Sequence, residues 1–114
     1  NDFNLYDESI IGVNPCAEAN NADKECCNLA ELFLNNLQSA EQMADCAILL
    51  YKTQKAICAG RYLHEATNKI VHKNMRIGLG ITGVCQKLDV IDDWCDKVYK
   101  RLRDFDVAYS KDNG

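Results

Sequence analysis

Met75-Arg76-Ile77-Gly78-Leu79-Gly80-Ile81-Thr82-Gly83 is the stretch on which the fold class turns. Ile77, Leu79 and Ile81 alternate with Arg76, Gly78 and Gly80, and a period of two is that of a strand. A helix would ask for apolar residues three and four apart. Glycine weakens a strand interior, so its presence marks a place where another backbone or a ligand comes close. Gly78, Gly80 and Gly83 also match the G-x-G-x-x-G spacing of dinucleotide sites. That fingerprint needs its glycines in the turn after the strand, whereas these lie within the strand pattern. Asp104 and Asp106 fall near the place of its acidic partner without filling it convincingly. A strand is therefore expected here, and not a nucleotide cradle.

The flanks read as helices. Ser39 and Gln42 have capping-box spacing, in which hydroxyl and side-chain amide satisfy exposed backbone donors. They open a helix with Met43, Cys46, Ala47, Leu50, Tyr51, Ile57 and Cys58 on its buried stripe, ended or interrupted at Gly60. A more polar helix is expected within 61–74, with Leu63, Ala66, Thr67 and Ile70 inward and His64 and His72 exposed or in satisfied contacts. After the glycine-rich strand come a short helix to about Leu88 and a long one from about Asp92. Ile91, Trp94, Cys95, Val98, Leu102, Phe105 and Tyr109 form the long helix's apolar stripe. Lys97, Lys100, Arg101, Arg103 and Asp104 form its wet face, and Asp92 or Asp93 can cap its start. Alternation is imperfect from Cys26 to Phe33; a short strand is preferred there, and a helical turn also fits. Residues before Val13 read as a loop or short strand, and 19–24 as a polar turn. The fold class is α/β, helix-rich in this stretch.

With 114 residues the chain suits one small domain. Its 47% hydrophobic and 26% charged residues are those of an ordinary folded protein. The net charge of −4, with 13 basic and 17 acidic residues, leaves no dense cationic run for a nucleic acid. No apolar run approaches the roughly 20 residues of a membrane span, and the start lacks the pattern of a signal peptide. It also lacks an initiator Met, which suggests a beginning inside something longer. There is no repeat or low-complexity tract.

The seven cysteines, Cys16, Cys26, Cys27, Cys46, Cys58, Cys85 and Cys95, are odd in number and two are adjacent. That pattern does not suit a secreted disulfide framework. Without a C-x-x-C pair, and with His64 and His72 apart from any cysteine, it does not suit zinc either. Most should be core residues in a reducing compartment, Cys46 and Cys58 among them. Cys16 stands apart. In Gly12-Val13-Asn14-Pro15-Cys16-Ala17-Glu18, Pro15 keeps Asn14 out of the helical region. Were this segment extended, Asn14, Cys16 and Glu18 would face one side together: an amide, a thiol and a carboxylate. The bland alternative is an Asn-Pro turn beside a small buried cysteine.

Three motifs in order carry a resemblance. Asn14-Pro15-Cys16-Ala17-Glu18, then Cys27-Asn28-Leu29-Ala30-Glu31, then Asn74-Met75-Arg76-Ile77-Gly78-Leu79-Gly80-Ile81-Thr82-Gly83 together resemble the catalytic subunit of ribonucleotide reductase. The Asn-Pro-Cys form and the interval of eleven residues from Cys16 to Cys27 resemble the adenosylcobalamin-dependent type most. The alternative is a radical supplied by a metal-containing small subunit. The resemblance implies a ten-stranded α/β barrel, of which residues 1–114 would be a part, with the first motif on a finger loop inside it. It implies that Cys16 becomes a thiyl radical that takes hydrogen from the ribose 3′ position, that Glu18 accepts the 3′-hydroxyl proton, and that Asn14 holds the sugar hydroxyls. Cys27 would be one of two thiols that reduce the 2′ position and end as a disulfide; the neighbouring Cys26 is the other candidate for that role. Met75 stands where the family leads one to expect a second arginine. The implied partners are a ribonucleoside di- or triphosphate, a thioredoxin-like reductant and the remaining segments of the reductase, in the cytoplasm, with neither nucleic acid nor membrane. The missing barrel strands imply little activity for this stretch by itself. Two other readings stand beside it: a non-catalytic helical interaction module, or docking segment of a split enzyme, with its cysteines simply buried, and a small thiol redox protein, which the lack of a C-x-x-C motif disfavours.

Overall fold

The computed structural model describes residues 9–15 and 19–113. In chain order the elements are β1 (Ile10–Val13), β2 (Asn20–Ala22), β3 (Leu29–Phe33), α1 (Ala40–Cys58), α2 (Glu65–Asn74), β4 (Gly78–Thr82) and α3 (Ile91–Asn113). Short 3₁₀ turns follow β3 at Leu34–Asn36 and β4 at Val84–Gln86. The described residues divide into two compact units: the chain up to Leu29 with Gln54–Gly78, and Ala30–Thr53 with Leu79 onward.

The second unit holds the larger core. Leu32, Leu34, Leu37, Ala40, Met43, Ala44 and Ala47 pack with Ile91, Trp94 and Val98. Each large apolar side chain so buried contributes about 1.5–3 kcal/mol. The α3 stripe emerges as its spacing requires: Cys95 and Leu102 line the same core, and Phe105 and Tyr109 meet the Tyr51 ring edge-on with centroids 5.6 Å away. Ser39 caps α1 by accepting from the Gln42 N–H at 3.2 Å. The Gln42 side chain accepts from the Gln38 N–H at 2.7 Å, so the box closes one residue earlier than the usual pattern. α3 begins at Ile91, which places Asp92 and Asp93 in its first turn; there they complement the helix dipole without being the cap.

β3 and β4 are hydrogen-bonded neighbours. Glu31 lies against Gly80 and bonds Thr82, while Leu34 and Asn35, just past β3, lie against Gly83, just past β4. Both chains advance together, so the pair is parallel and the helices between them form its crossover. A methyl group at Gly80 would run into the Glu31 carboxylate, so what comes close here is a side chain and not the backbone or ligand expected. The strand starts at Gly78, later than its alternation suggests, because Met75 adopts a left-handed φ of 50° as the C-cap of α2. The region after Gly83 forms only a 3₁₀ turn, shorter than the helix expected to Leu88.

In the first unit β1 and β2 form an antiparallel pair, Ile10 opposite Ala22 and Val13 opposite Asn20, with an irregularity between Ile10 and Gly12. Part of the segment read as a polar turn is thus a strand: backbone pairing with β1 holds Asn20–Ala22 extended. Along α1, Gln54 is buried and Ile57 is 53% exposed, the reverse of the stripe expected there. Tyr51, Gln54 and Cys58 share one face, and Ile57 falls off it by about a quarter of a turn. In α2 the buried residue is Val71, and Leu63 lies in the preceding loop, exposed. His72 Nε2 meets the Gly60 carbonyl at 2.8 Å, and His64 stands at the exposed N-cap. The described residues form two two-stranded sheets and no ten-stranded barrel.

Candidate functional site

Asn14 follows β1 directly and is 6% exposed. Its N–H donates to the Ala19 carbonyl at 3.0 Å, and its Oδ1 accepts from the Ala19 N–H, also at 3.0 Å. An extended chain would set residues 14 and 19 about 16 Å apart. Asn14 and Ala19 are instead directly paired. Cys16 and Glu18 lie outside the described residues. Asn14 spends its oxygen on the root of the hairpin loop. Its Nδ2 is buried and has no hydrogen-bond partner among the described residues, so a donor remains available.

Cys27 is exposed and Cys26 half-buried, both just ahead of β3. The next residue is firmly held. Asn28 Nδ2 donates to the Gln54 carbonyl at 2.8 Å and to Cys58 Sγ at 3.2 Å. The Asn28 carbonyl accepts from the Gly78 N–H at 2.9 Å and from Gln54 Nε2 at 3.0 Å. Gln54 Nε2 also donates to the Gly78 carbonyl at 2.6 Å.

Glu25 is the other anchor. Its side chain is 1% exposed, and Oε2 accepts from the Ala22 N–H at 2.7 Å and from Arg76 at 2.6 Å. Oε1 accepts from Asn74 Nδ2 at 2.9 Å. Arg76 further reaches the Asn20 carbonyl at 3.4 Å and Ser9 Oγ at 3.5 Å. The open end of the β1–β2 hairpin is thereby tied to the residues ahead of β4, while its other end carries Asn14. In the second unit Glu31 accepts from Thr82 at 2.5 Å. The second and third sequence motifs therefore fasten to each other, residue by residue.

Sequence reasoning missed Glu25 and Gln54. Glu25 sits among polar residues and offers no signal. Gln54 offered one: it is three residues after Tyr51 and four before Cys58, a polar residue on a buried stripe. The other cysteines fit the core reading in part. Cys58 is fully buried and Cys46 packs against the core. Burial, then the negative charges of Asp92 and Asp96, push the Cys95 thiol up and keep it protonated. Cys85 is exposed. Among the described residues no three His, Cys, Asp or Glu converge to hold a metal ion, and no helix is long and apolar enough to cross a membrane.

No family model matches the chain, and no solved structure matches it. Curated relatives do. A probable adenosylcobalamin-dependent ribonucleoside-triphosphate reductase of Dictyostelium discoideum is 32% identical over 115 residues, covering 96% of this chain. The adenosylcobalamin-dependent ribonucleoside-triphosphate reductase of Levilactobacillus brevis is 30% identical over 111 residues and 95% of the chain. That of Lactobacillus leichmannii is 32% identical over 79 residues and 68% of the chain. The matched stretch spans only 15% of the first relative, 14% of the second and 11% of the third. Over nearly its whole length the chain belongs, as a segment, to the family of adenosylcobalamin-dependent ribonucleoside-triphosphate reductases.

Proposed function

We propose that residues 1–114 are part of the barrel domain of a ribonucleotide reductase and carry its radical and base chemistry on the loop that follows β1. The observation that carries the reading is Asn14. One end of its amide pins the loop root through Ala19, and the other end, the buried Nδ2, keeps a hydrogen-bond donor for a ligand hydroxyl. A neutral amide binds a sugar hydroxyl without competing for its proton.

In this reading Cys16, as a thiyl radical, abstracts hydrogen from the ribose 3′ carbon while Glu18 takes the 3′-hydroxyl proton. The 2′ oxygen leaves as water. Cys27 and a second thiol supply two electrons and become a disulfide, and Cys16 returns hydrogen to the 3′ carbon. A thioredoxin-like reductant reopens the disulfide. The relatives' names favour a ribonucleoside triphosphate over a diphosphate and adenosylcobalamin as the radical source; we place this reaction in the cytoplasm, where its products serve DNA-precursor synthesis. Adenosylcobalamin supplies an organic radical when its cobalt–carbon bond breaks. Its cobalt is already held by the corrin ring and asks no donor set of the protein, so the residues of this chain are assigned the nucleotide and thiol steps. The exposure of Cys27 speaks against an interaction module with simply buried cysteines.

The test is ribonucleotide reduction, with adenosylcobalamin present, by this chain assembled with the remaining segments of the reductase. Cys16→Ser should abolish turnover while assembly persists. Turnover at the original rate would overturn the radical role.

A further inference from the structure

We propose that Gln54 is a positioning residue for the Cys27 thiol, an inference that rests on the redox role given to Cys27 above. Gln54 comes from the last turns of α1, far in sequence from both groups it holds. Its Nε2 spans the carbonyls of Asn28 and Gly78, at 3.0 and 2.6 Å. Those residues are joined to each other by the Gly78 N–H at 2.9 Å. Asn28 answers by donating to the Gln54 main-chain carbonyl and to Cys58 Sγ. The residue directly after Cys27 is thus held through both its carbonyl and its side chain.

A core stripe asks for an apolar residue at this position, since a buried amide must find partners to offset its lost hydration. Gln54 is 2% exposed, and its Oε1 has no partner among the described residues. A leucine or methionine would fill the volume without that cost. What only the amide does is bracket two main-chain carbonyls at once, and one of them adjoins an exposed thiol. The chemistry assigned to Cys27 needs such a bracket. The sulfur must approach the sugar as a thiol and then reach a second sulfur, whose bonding geometry is narrow. With Asn28 clamped, Cys27 changes partner by side-chain rotation alone.

The test uses the complete reductase with Gln54→Met, which keeps length and removes both donors. Alkylation of Cys27 is followed beside that of Cys85, an exposed thiol remote in sequence that serves as internal reference. The Cys27-to-Cys85 rate ratio should rise at least threefold, with kcat lowered about tenfold and KM changed less than twofold. A merely structural loss would raise both alkylation rates together. An unchanged ratio overturns the inference, whatever happens to turnover. Should Gln54→Met fail to fold, Gln54→Leu removes the same two donors from the Asn28 and Gly78 carbonyls, and the same ratio decides. Cys27→Ser separates the two claims. Full turnover there refutes the redox role itself, whereas no turnover there with an unchanged ratio in Gln54→Met refutes only the positioning.

Discussion

At the scale of single residues, Glu25 and Arg76 show how much one buried carboxylate can organise. Three donors converge on Glu25, from Ala22, Asn74 and Arg76, and one of them is charged. Removing a single partner of such a group leaves a charge without compensation, which costs more than the pair contributes net. Arg76→Met should therefore destabilise the protein by roughly 3 kcal/mol, the lower end for a buried pair because Arg76 keeps some solvent contact. Urea denaturation measures it. Replacing both Glu25 and Arg76 by apolar residues should cost less than Arg76→Met alone. Neither residue was legible as an anchor. Glu25 is one acidic residue among several in a polar stretch, and Arg76 was read only as a member of an alternating strand. Burial of a charge depends on partners about 50 residues away, which no local pattern reports.

At the scale of elements, periodicity was legible where a long apolar stripe had only one way to face. α3 follows its pattern from Ile91 to Tyr109, with Asp106 at the edge of that face satisfied by the Tyr51 hydroxyl. α1 departs from its pattern at Gln54 and Ile57, where hydrogen bonding outweighs hydrophobicity. β2 was hidden because Asn20 and Asn21 carry no β signal and are held by β1 alone. The glycine pattern of β4 was read for its consequence, close approach, and the neighbour is the Glu31 side chain. That gives a conditional prediction. Gly80→Ala should destabilise by about 1 kcal/mol, because the new methyl displaces the Glu31 carboxylate from Thr82. In a Glu31→Ala background the same substitution should be neutral or stabilising, since alanine suits a strand interior better than glycine does. A double-mutant cycle on thermal midpoints checks both arms.

At the scale of the whole molecule, the family was legible from three short motifs in order, while the pairing of Asn14 with Ala19 was not. That pairing cannot be read from an Asn-Pro step, which suits a strand end and a turn equally. Stability at high pH is a property of the molecule with a local source in Tyr51. Burial, then the hydrogen bond from Tyr51 to Asp106 and that carboxylate's charge, raise the Tyr51 hydroxyl well above its ordinary value of 10.0. The unfolded chain then loses this proton at lower pH than the folded one. The contribution is whole below about pH 10 and disappears as pH climbs toward the folded-state value. Denaturation midpoints should fall above pH 10, and Tyr51→Phe should flatten that fall while lowering stability at neutral pH by about 1 kcal/mol.

The parallel pairing of β3 with β4 also has a consequence in time. Helices α1 and α2 close through contacts a few residues apart, on the microsecond scale of local events. The Asn28–Gly78, Glu25–Arg76 and Glu31–Thr82 contacts each close a span of about fifty residues, the last two being 51 apart in sequence. Their entropic cost falls due before any of their hydrogen bonds is made, so they should form late and set the folding rate. During synthesis the hairpin that carries Asn14 leaves the ribosome long before Arg76 exists to tie its open end. The β1–β2 hairpin must therefore wait for a residue made more than fifty positions later before its open end is held.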